Sequence, residues 1–301
     1  MLQVHALSVE EWSYLRGLFL ADGQSYTYAR RSSTSYTVSF LLTEGKEEEL
    51  ACRVVKLLKR VGLNPFKWKH SKKKMVTVAV NSKDLCRFLP DKQALRGKGI
   101  AEVESFLVEN KLFGIRCGVP FIAGLIDGDG HASVRMDYRD SVFGAVVSHW
   151  GFAQTLFPFL IDFLEAYVDG LTPNGVSVGY AGSESNGRVV SILKRGREAL
   201  LSRGITEYSW KVQRWLLKVE KLSSALSELK LRFYSPFEVA QRLHGLISLS
   251  TVIRWCRSGH IKHILIRGSP KSKYYMHLIP VEEFRRLESE LRKSGDEQAK
   301  M

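Results

Sequence analysis

The sequence predicts an α+β fold: two pseudo-symmetric αββαββα lobes followed by a small C-terminal winged helix-turn-helix domain. Three observations predict it. The nine residues Leu15-Arg-Gly-Leu-Phe-Leu-Ala-Asp22-Gly23 return 107 residues later as Ile122-Ala-Gly-Leu-Ile-Asp-Gly-Asp129-Gly130. Each copy is followed by the same succession of alternating and helical patterns, the mark of a repeated structural unit. Beyond residue 231 the pattern changes to short helices and a basic hairpin.

In the first copy the motif itself reads as a helix. Residues 25–31 and 36–42 then alternate like strands around a Ser/Thr turn, which predicts a hairpin. Residues 47–62 switch to helical period, with Leu50, Val54, Leu57, Leu58 and Val61 on one face. Acids at its start, Lys59 and Arg60 at its end and Gly62 beyond agree with the helix dipole and a glycine stop. A second hairpin (66–70 and 74–80) and a short helix (82–89) complete the unit. The second copy predicts strands at 132–138 and 142–148, a helix at 152–167, strands at 176–181 and 188–194, and a helix ending near Arg203. Residues 105–118 bridge the copies, and 207–231 form a long amphipathic helix. The resulting domains are 8–100, a linker 101–118, 119–231, and 232–294.

The last domain announces itself by its caps. Ser235-Pro236-Phe-Glu238 combines an N-cap serine, a first-turn proline and a glutamate three residues after the cap. A second helix starting at Ser250-Thr251 stops at Ser258-Gly259. Strands at 261–267 and 274–279 flank a basic loop, and Pro280 opens a final helix. This order is that of a winged helix-turn-helix, similar to the excisionase type. Its recognition helix would present Ser250, Thr251 and Arg254, and its wing Lys271 and Lys273. Trp255 is expected to fill the small core.

Composition narrows the function. The chain has 301 residues and is 45% hydrophobic and 25% charged, which suits globular domains and excludes a disordered or fibrous protein. Its most apolar window, 150–168, is broken by Gln154, Pro158, Asp162 and Glu165, so no membrane span is expected. The N-terminus lacks a signal-like apolar run. Four cysteines without CxxC spacing predict reduced thiols and no zinc cluster, consistent with the cytoplasm or an organellar matrix. The net charge is +14, and residues 53–74 hold nine Lys/Arg and no acid. Such an excess favours a polyanion, because neutralising phosphates releases condensed counterions.

The repeated motif carries the chemistry. Gly17 and Ala21, like Gly124 and Gly128, stand one helical turn apart, and small residues on one face let a second helix approach closely. Each helix ends in an aspartate and a glycine, the glycine reading as a left-handed stop. A carboxylate at a helix C-terminus opposes the dipole. Two such carboxylates brought together repel unless a cation intervenes. Converging oxygens suit Mg²⁺ or Mn²⁺ and the hydrolysis of phosphodiesters.

Together the two motifs, with their matching flanking topology, resemble the signature of the LAGLIDADG homing endonucleases in their single-chain form. The resemblance spans residues 8 to about 228. The second motif departs at Ile122 and Gly128, the first at Arg16, Phe19 and Leu20, where Leu20 replaces an acid that Asp127 keeps. The resemblance implies that Asp22 and Asp129 are catalytic metal ligands, with the carbonyls of Ala21 and Gly128 completing the shell. It also implies a basic residue near the metal, for which Lys194, at the expected end of the last strand, is the candidate. Glu44 and His149 occupy equivalent places after the second strands.

The same resemblance implies that the sheets form a DNA-binding saddle. Alternation then assigns Arg30, Thr37, Ser39 and Thr77 to the DNA face, with Lys67 and Lys69 beside them and Arg135 and Arg139 in the second lobe. The implied partner is double-stranded DNA with a long asymmetric site, about 18 base pairs for two such lobes, bound by a monomer. Two other readings fit the same residues: a catalytically inactive LAGLIDADG-derived transcription regulator, and an intron RNA maturase. No intein-type splicing block flanks the lobes.

Overall fold

A computed structural model describes residues 2–30, 33–71, 74–89, 115–139, 142–154, 176–180, 188–243, 246–267 and 275–298. They divide into two compact units, Met1–Ser133 with His149–Trp215, and Val134–Ser148 with Leu216–Met301.

The first helix, α1 (Val9–Asp22), starts at a complete capping box in which Ser8 and Glu11 satisfy each other's backbone N–H. Strands β1 (Gly23–Arg30) and β2 (Ser33–Thr43) form the expected hairpin. Helix α2 (Glu48–Arg60), strands β3 (Phe66–Lys69) and β4 (Met75–Asn81) and helix α3 (Lys83–Phe88) follow. The sheet order is β1-β2-β4-β3. Val38 pairs with Val80, Phe40 with Val78 and Leu42 with Val76, giving an apolar ladder on one face. All six are buried, as are Leu50, Val54, Leu57, Leu58 and Val61, the predicted face of α2 and its end. Phe19 of α1 meets Phe40 edge-on at 5.9 Å, so both helices cover this face.

The second sheet repeats that order. After α4 (Ile115–Asp127) come β5 (Gly130–Arg139), β6 (Val142–Gln154), β7 (Val176–Tyr180) and β8 (Arg188–Ile192), arranged β5-β6-β8-β7. Three boundaries differ from the sequence expectation. The helix expected from Phe152 is still strand there, because Phe152, Ala153 and Gln154 pair with Val190, Val189 and Arg188, satisfying both backbones. Residues 155–167 lie outside the described residues. Strand β8 ends at Ile192, and Lys194 opens helix α5 (Lys194–Ser202) instead of closing the strand. The long helix expected over 207–231 is two, α6 (Ile205–Tyr208) and α7 (Trp210–Arg232), parted at Ser209.

The remaining elements are β9 (Phe233–Tyr234), α8 (Pro236–Arg242), α9 (Leu249–Arg257), β10 (Ile264–Arg267), β11 (Tyr275–Pro280) and α10 (Val281–Gln298). Ser235 and Glu238 form the predicted capping box. The cap of α9 is Ser248, two residues before the expected start, because its hydroxyl accepts the Thr251 N–H. The three strands pair as β10-β11-β9. One core gathers Val239, Leu243, Val252, Cys256, Ile261, Ile279, Phe284 and Leu287, with Trp255 packed against it. A second joins Met276 and Leu278 of β11 to Leu226 and Leu229 of α7. Helix α7 therefore covers this small sheet as well as leading to it. Among the described residues no helix is long and apolar enough to cross a membrane.

Candidate functional site

Helices α1 and α4 touch backbone to backbone along the repeated motif. A Cβ on Gly17 would stand 2.0 Å from the Phe121 carbonyl oxygen, and one on Gly124 would stand 2.1 Å from that of Tyr14. At the C-terminal end a Cβ on Gly128 would fall 2.2 Å from the Ala21 Cβ and 3.3 Å from the Asp22 nitrogen. Glycine is needed at these points because no side chain fits between the helices. The contact brings the residues that precede Asp22 and Asp129 against each other. Asp22 is the last residue of α1 and half-buried, while Asp129 is exposed just beyond α4.

The glycine after α1 serves a different purpose from the one expected. Gly23 has φ −81° and ψ 154°, which is extended and not left-handed. It is required by proximity instead, since a Cβ there would stand 2.1 Å from the Phe19 ring.

Asp127, the earlier acid of the second motif, is fully buried and anchors a helix start. Its carboxylate accepts from the Ser209 hydroxyl at 2.6 Å, the Tyr14 hydroxyl at 2.8 Å, and the Trp210 and Lys211 N–H groups at 2.8 and 2.9 Å. The two N–H groups are orphan donors at the N-terminus of α7, where a carboxylate is favoured. Burial pushes the Asp127 carboxyl above its ordinary range, while the four hydrogen bonds pull it down. Burial and the neighbouring Asp127 also push the Tyr14 phenol well up. The helix break at Ser209 is thus a junction built on Asp127, which the periodicity of the sequence does not contain. In the first motif the same position is the buried Leu20.

Lys211, which no motif in the sequence singles out, reaches the repeated helices directly. Its ammonium donates to the Gly128 carbonyl at 2.6 Å and the Gly130 carbonyl at 3.0 Å, and pairs with Glu47 at 3.0 Å. The carbonyl expected to join a metal shell therefore already holds a cation. The candidate metal oxygens at this end are the carboxylates of Asp22 and Asp129, the Ala21 carbonyl, and the second lone pair of Gly128. No sequence signal marks Lys211, because its partners lie more than 80 residues away.

The other expected site residues are distributed more widely. Lys194 stands at the start of α5 with its side chain 84% exposed, 3.9 Å from Glu198. Its expected place at a strand end is corrected, because β8 stops two residues earlier. Glu44 pairs with Lys69 at 2.7 Å, which holds its carboxyl below the ordinary range.

The sheet register also corrects a face assignment. Lys67 and Lys69 pair with Val78 and Val76, on the ladder covered by helices, and Lys69 lies 3.9 Å from Glu48 of α2. Phe66 and Trp68 pair with Ala79 and Thr77, so it is the aromatics that share the face of Thr37, Ser39 and Thr77. Those three are buried rather than open, and two of their hydroxyls are engaged: Thr37 with Asn81 at 2.8 Å, Thr77 with His70 at 2.7 Å. The exposed surface of this face is aromatic, with Phe66 and Trp68 stacked at 5.4 Å on one edge strand and Tyr26 and Tyr28 in edge contact at 5.1 Å on the other.

Arg30, Arg135 and Arg139 lie on β1 and β5, but their side chains, like that of His149, are outside the described residues, as are Lys271 and Lys273 entirely. On α9, Ser250, Arg254 and Arg257 form an exposed stripe, with Thr251 half-buried beside the Ser248 cap.

Residues 10–91 match the model of a LAGLIDADG-like domain. No protein of curated function matches the chain. Among solved structures, I-DmoI in complex with DNA and Mn is 16% identical with a TM-score of 0.44, the match covering 65% of this chain and 96% of that one. Mesophilic variants of the homing endonuclease I-DmoI give 15% and 0.45, over 66% and 96%. The LAGLIDADG meganuclease I-AabMI bound to uncleaved DNA gives 13% and 0.43, over 71% and 92%. The stretch similar to a LAGLIDADG-like domain, residues 10–91, coincides with the first αββαββα run of elements, α1 to α3.

Proposed function

We propose that this chain is a site-specific double-strand DNA endonuclease of the homing type, acting as a monomer on a long asymmetric site. The observation that carries the reading is the contact between Ala21 and Gly128, which sets Asp22 and Asp129 at one end of a glycine-packed helix pair. Two carboxylates beside helix C-termini form a hard-oxygen donor set that fits Mg²⁺ or Mn²⁺. Such an ion, when bound, supplies the charge that stabilises a leaving oxygen and lowers the pKa of water. Asp22 and Asp129 would hold it, assisted by the Ala21 carbonyl, while Lys211 fixes the Gly128 carbonyl and adds positive charge beside the phosphate path. The net charge of +14 supports the phosphate grip. In the C-terminal unit, α8, α9, β10 and β11 follow the order of a winged helix-turn-helix, with Arg254 and Arg257 on the exposed side of the second helix.

A second reading, a LAGLIDADG-derived DNA-binding regulator that does not cut, is favoured by one observation: the Lys211 ammonium already occupies the Gly128 carbonyl. One experiment separates the two. The full chain is incubated with a randomised-site plasmid library and Mg²⁺ or Mn²⁺, and both cleavage and binding are scored. The endonuclease reading expects cleavage that Asp22→Asn or Asp129→Asn abolishes with DNA affinity retained. Binding without cleavage supports the regulator. Full cleavage by both variants overturns the metal site, and absence of DNA binding overturns both readings.

A further inference from the structure

The C-terminal unit gathers three typical metal-ligand side chains that are far apart in sequence. Cys256 comes from the last turn of α9, His263 from the segment before β10, and His277 from β11. Their ligand atoms all lie within 4.8 Å of one another. The two imidazole rings meet edge-on with centroids 4.6 Å apart. Cys256 and His277 are buried at 1% and 9% exposure, while His263 stands at the margin, half-buried.

A second observation concerns the tautomer of His263. Its Nδ1 lies 3.0 Å from the Ile261 carbonyl oxygen. A carbonyl only accepts, so Nδ1 is the donor, and in the neutral ring Nε2 is the nitrogen left to ligate. That is the arrangement in which metal-ligating histidines are usually held, one ring nitrogen donating to a backbone carbonyl and the other left to ligate. The strand register adds orientation. His277 pairs with Leu265 and alternates with Met276 and Leu278, which face α7, so its side of β11 is the Cys256 side, shared with Ile279.

We infer that Cys256, His263 and His277 form a metal site for a zinc-class divalent ion, separate from the paired aspartates. One thiolate and two imidazoles are the borderline-soft donors that select Zn²⁺ and Co²⁺ over Mg²⁺. Three protein ligands leave a fourth position, which water fills at the half-exposed side of His263. The ion ties the end of the second helix to both strands of the hairpin, so its binding free energy stabilises this unit. On binding, the Cys256 thiol loses its proton to solvent and the sulfur lone pair forms the bond to the metal. No oxidation or reduction takes place.

The test uses the untagged full-length chain, stripped with a chelator and titrated with Co²⁺. The expected result is one thiolate-to-cobalt charge-transfer band that saturates at one equivalent, with Zn²⁺ displacing the cobalt. The oxygen ligands at Asp22 and Asp129 give no such band, so this readout is independent of the nuclease reading. Cys256→Ala abolishes the band. His263→Gln, at the half-exposed position least able to disturb the fold, weakens cobalt binding by about 100-fold or more, the upper end of what even outer-shell losses cost. A wild-type chain that shows no thiolate band overturns the site. A band that survives Cys256→Ala assigns it to another cysteine and overturns it too. If Cys256→Ala does not fold, an unchanged spectrum and affinity in His263→Gln overturns the site in its place.

Discussion

The Lys211 ammonium donates to the Gly128 carbonyl at 2.6 Å, tying the N-terminus of α7 to the residue that precedes Asp129. With Glu47 on its other side at 3.0 Å and both side chains mostly buried, the lysine spans three elements. Lys211→Met removes the cation from two carbonyls and from Glu47, whose other oxygen keeps the Thr43 N–H at 2.7 Å. A loss of about 2–3 kcal/mol in unfolding free energy is expected, since hydrogen bonds to charged groups contribute about 1.5–3 kcal/mol. Combining it with Glu47→Gln should return part of that loss, of order 1 kcal/mol in a double-mutant cycle followed by urea denaturation. Strictly additive losses would show that the pair is not coupled.

Gly124 admits no side chain, because a Cβ there meets the Tyr14 carbonyl at 2.1 Å and the Leu18 nitrogen at 2.6 Å, both backbone atoms. Gly124→Ala therefore has to part α1 from α4. The expected cost is about 3 kcal/mol, at the upper end for an overpacked core, read as a lower urea midpoint. An unchanged midpoint would mean that the helices are not in contact at this glycine.

Glu283 gives the C-terminal unit an acid-sensitive tie. Its carboxylate accepts from the Lys262 N–H at 2.9 Å and from Arg286 at 2.6 and 3.1 Å, and these partners hold its pKa below the ordinary 4.5. A folded value below the unfolded one contributes stability that is complete above the unfolded pKa. It is lost as pH falls through the folded value. Glu283→Gln should lower the melting temperature at neutral pH and flatten its fall between about pH 5 and pH 3. Parallel melting curves for the two proteins across that range would refute the tie.

Binding to DNA should weaken steeply with salt. If about six phosphates are neutralised, log K falls against log salt with a slope of roughly −5. Arg254→Ala, on the exposed stripe of α9, should reduce that slope by about one if it contacts a phosphate. A wild-type slope near zero in a filter-binding series would remove nucleic acid as the partner.

The repeat, and with it most of the scaffold, is legible in the amino-acid chain alone. Two copies of one motif, each followed by an alternating pattern that forms paired strands, can be read because each element rests on local periodicity. The apolar ladder of β2 and β4, the buried face of α2 and the Ser235–Glu238 cap all follow from residues near one another in the chain. The expectation that Asp22 and Asp129 act as a pair rests on the same local reading, since a helix ending in acid contradicts its own dipole.

Folding supplies what residue spacing does not encode. Which face Lys67 and Trp68 occupy depends on how β3 registers against β4, and a strand's phase relative to its neighbour is set by pairing, not by its own alternation. The role of Asp127 as the anchor of α7, and of Lys211 as a cation on Gly128, requires partners over 80 residues apart to meet. The cysteine pattern carries no zinc spacing, yet the fold sets Cys256 beside His263 and His277. Each of these contacts joins separate elements, and only packing brings such side chains within a few ångströms.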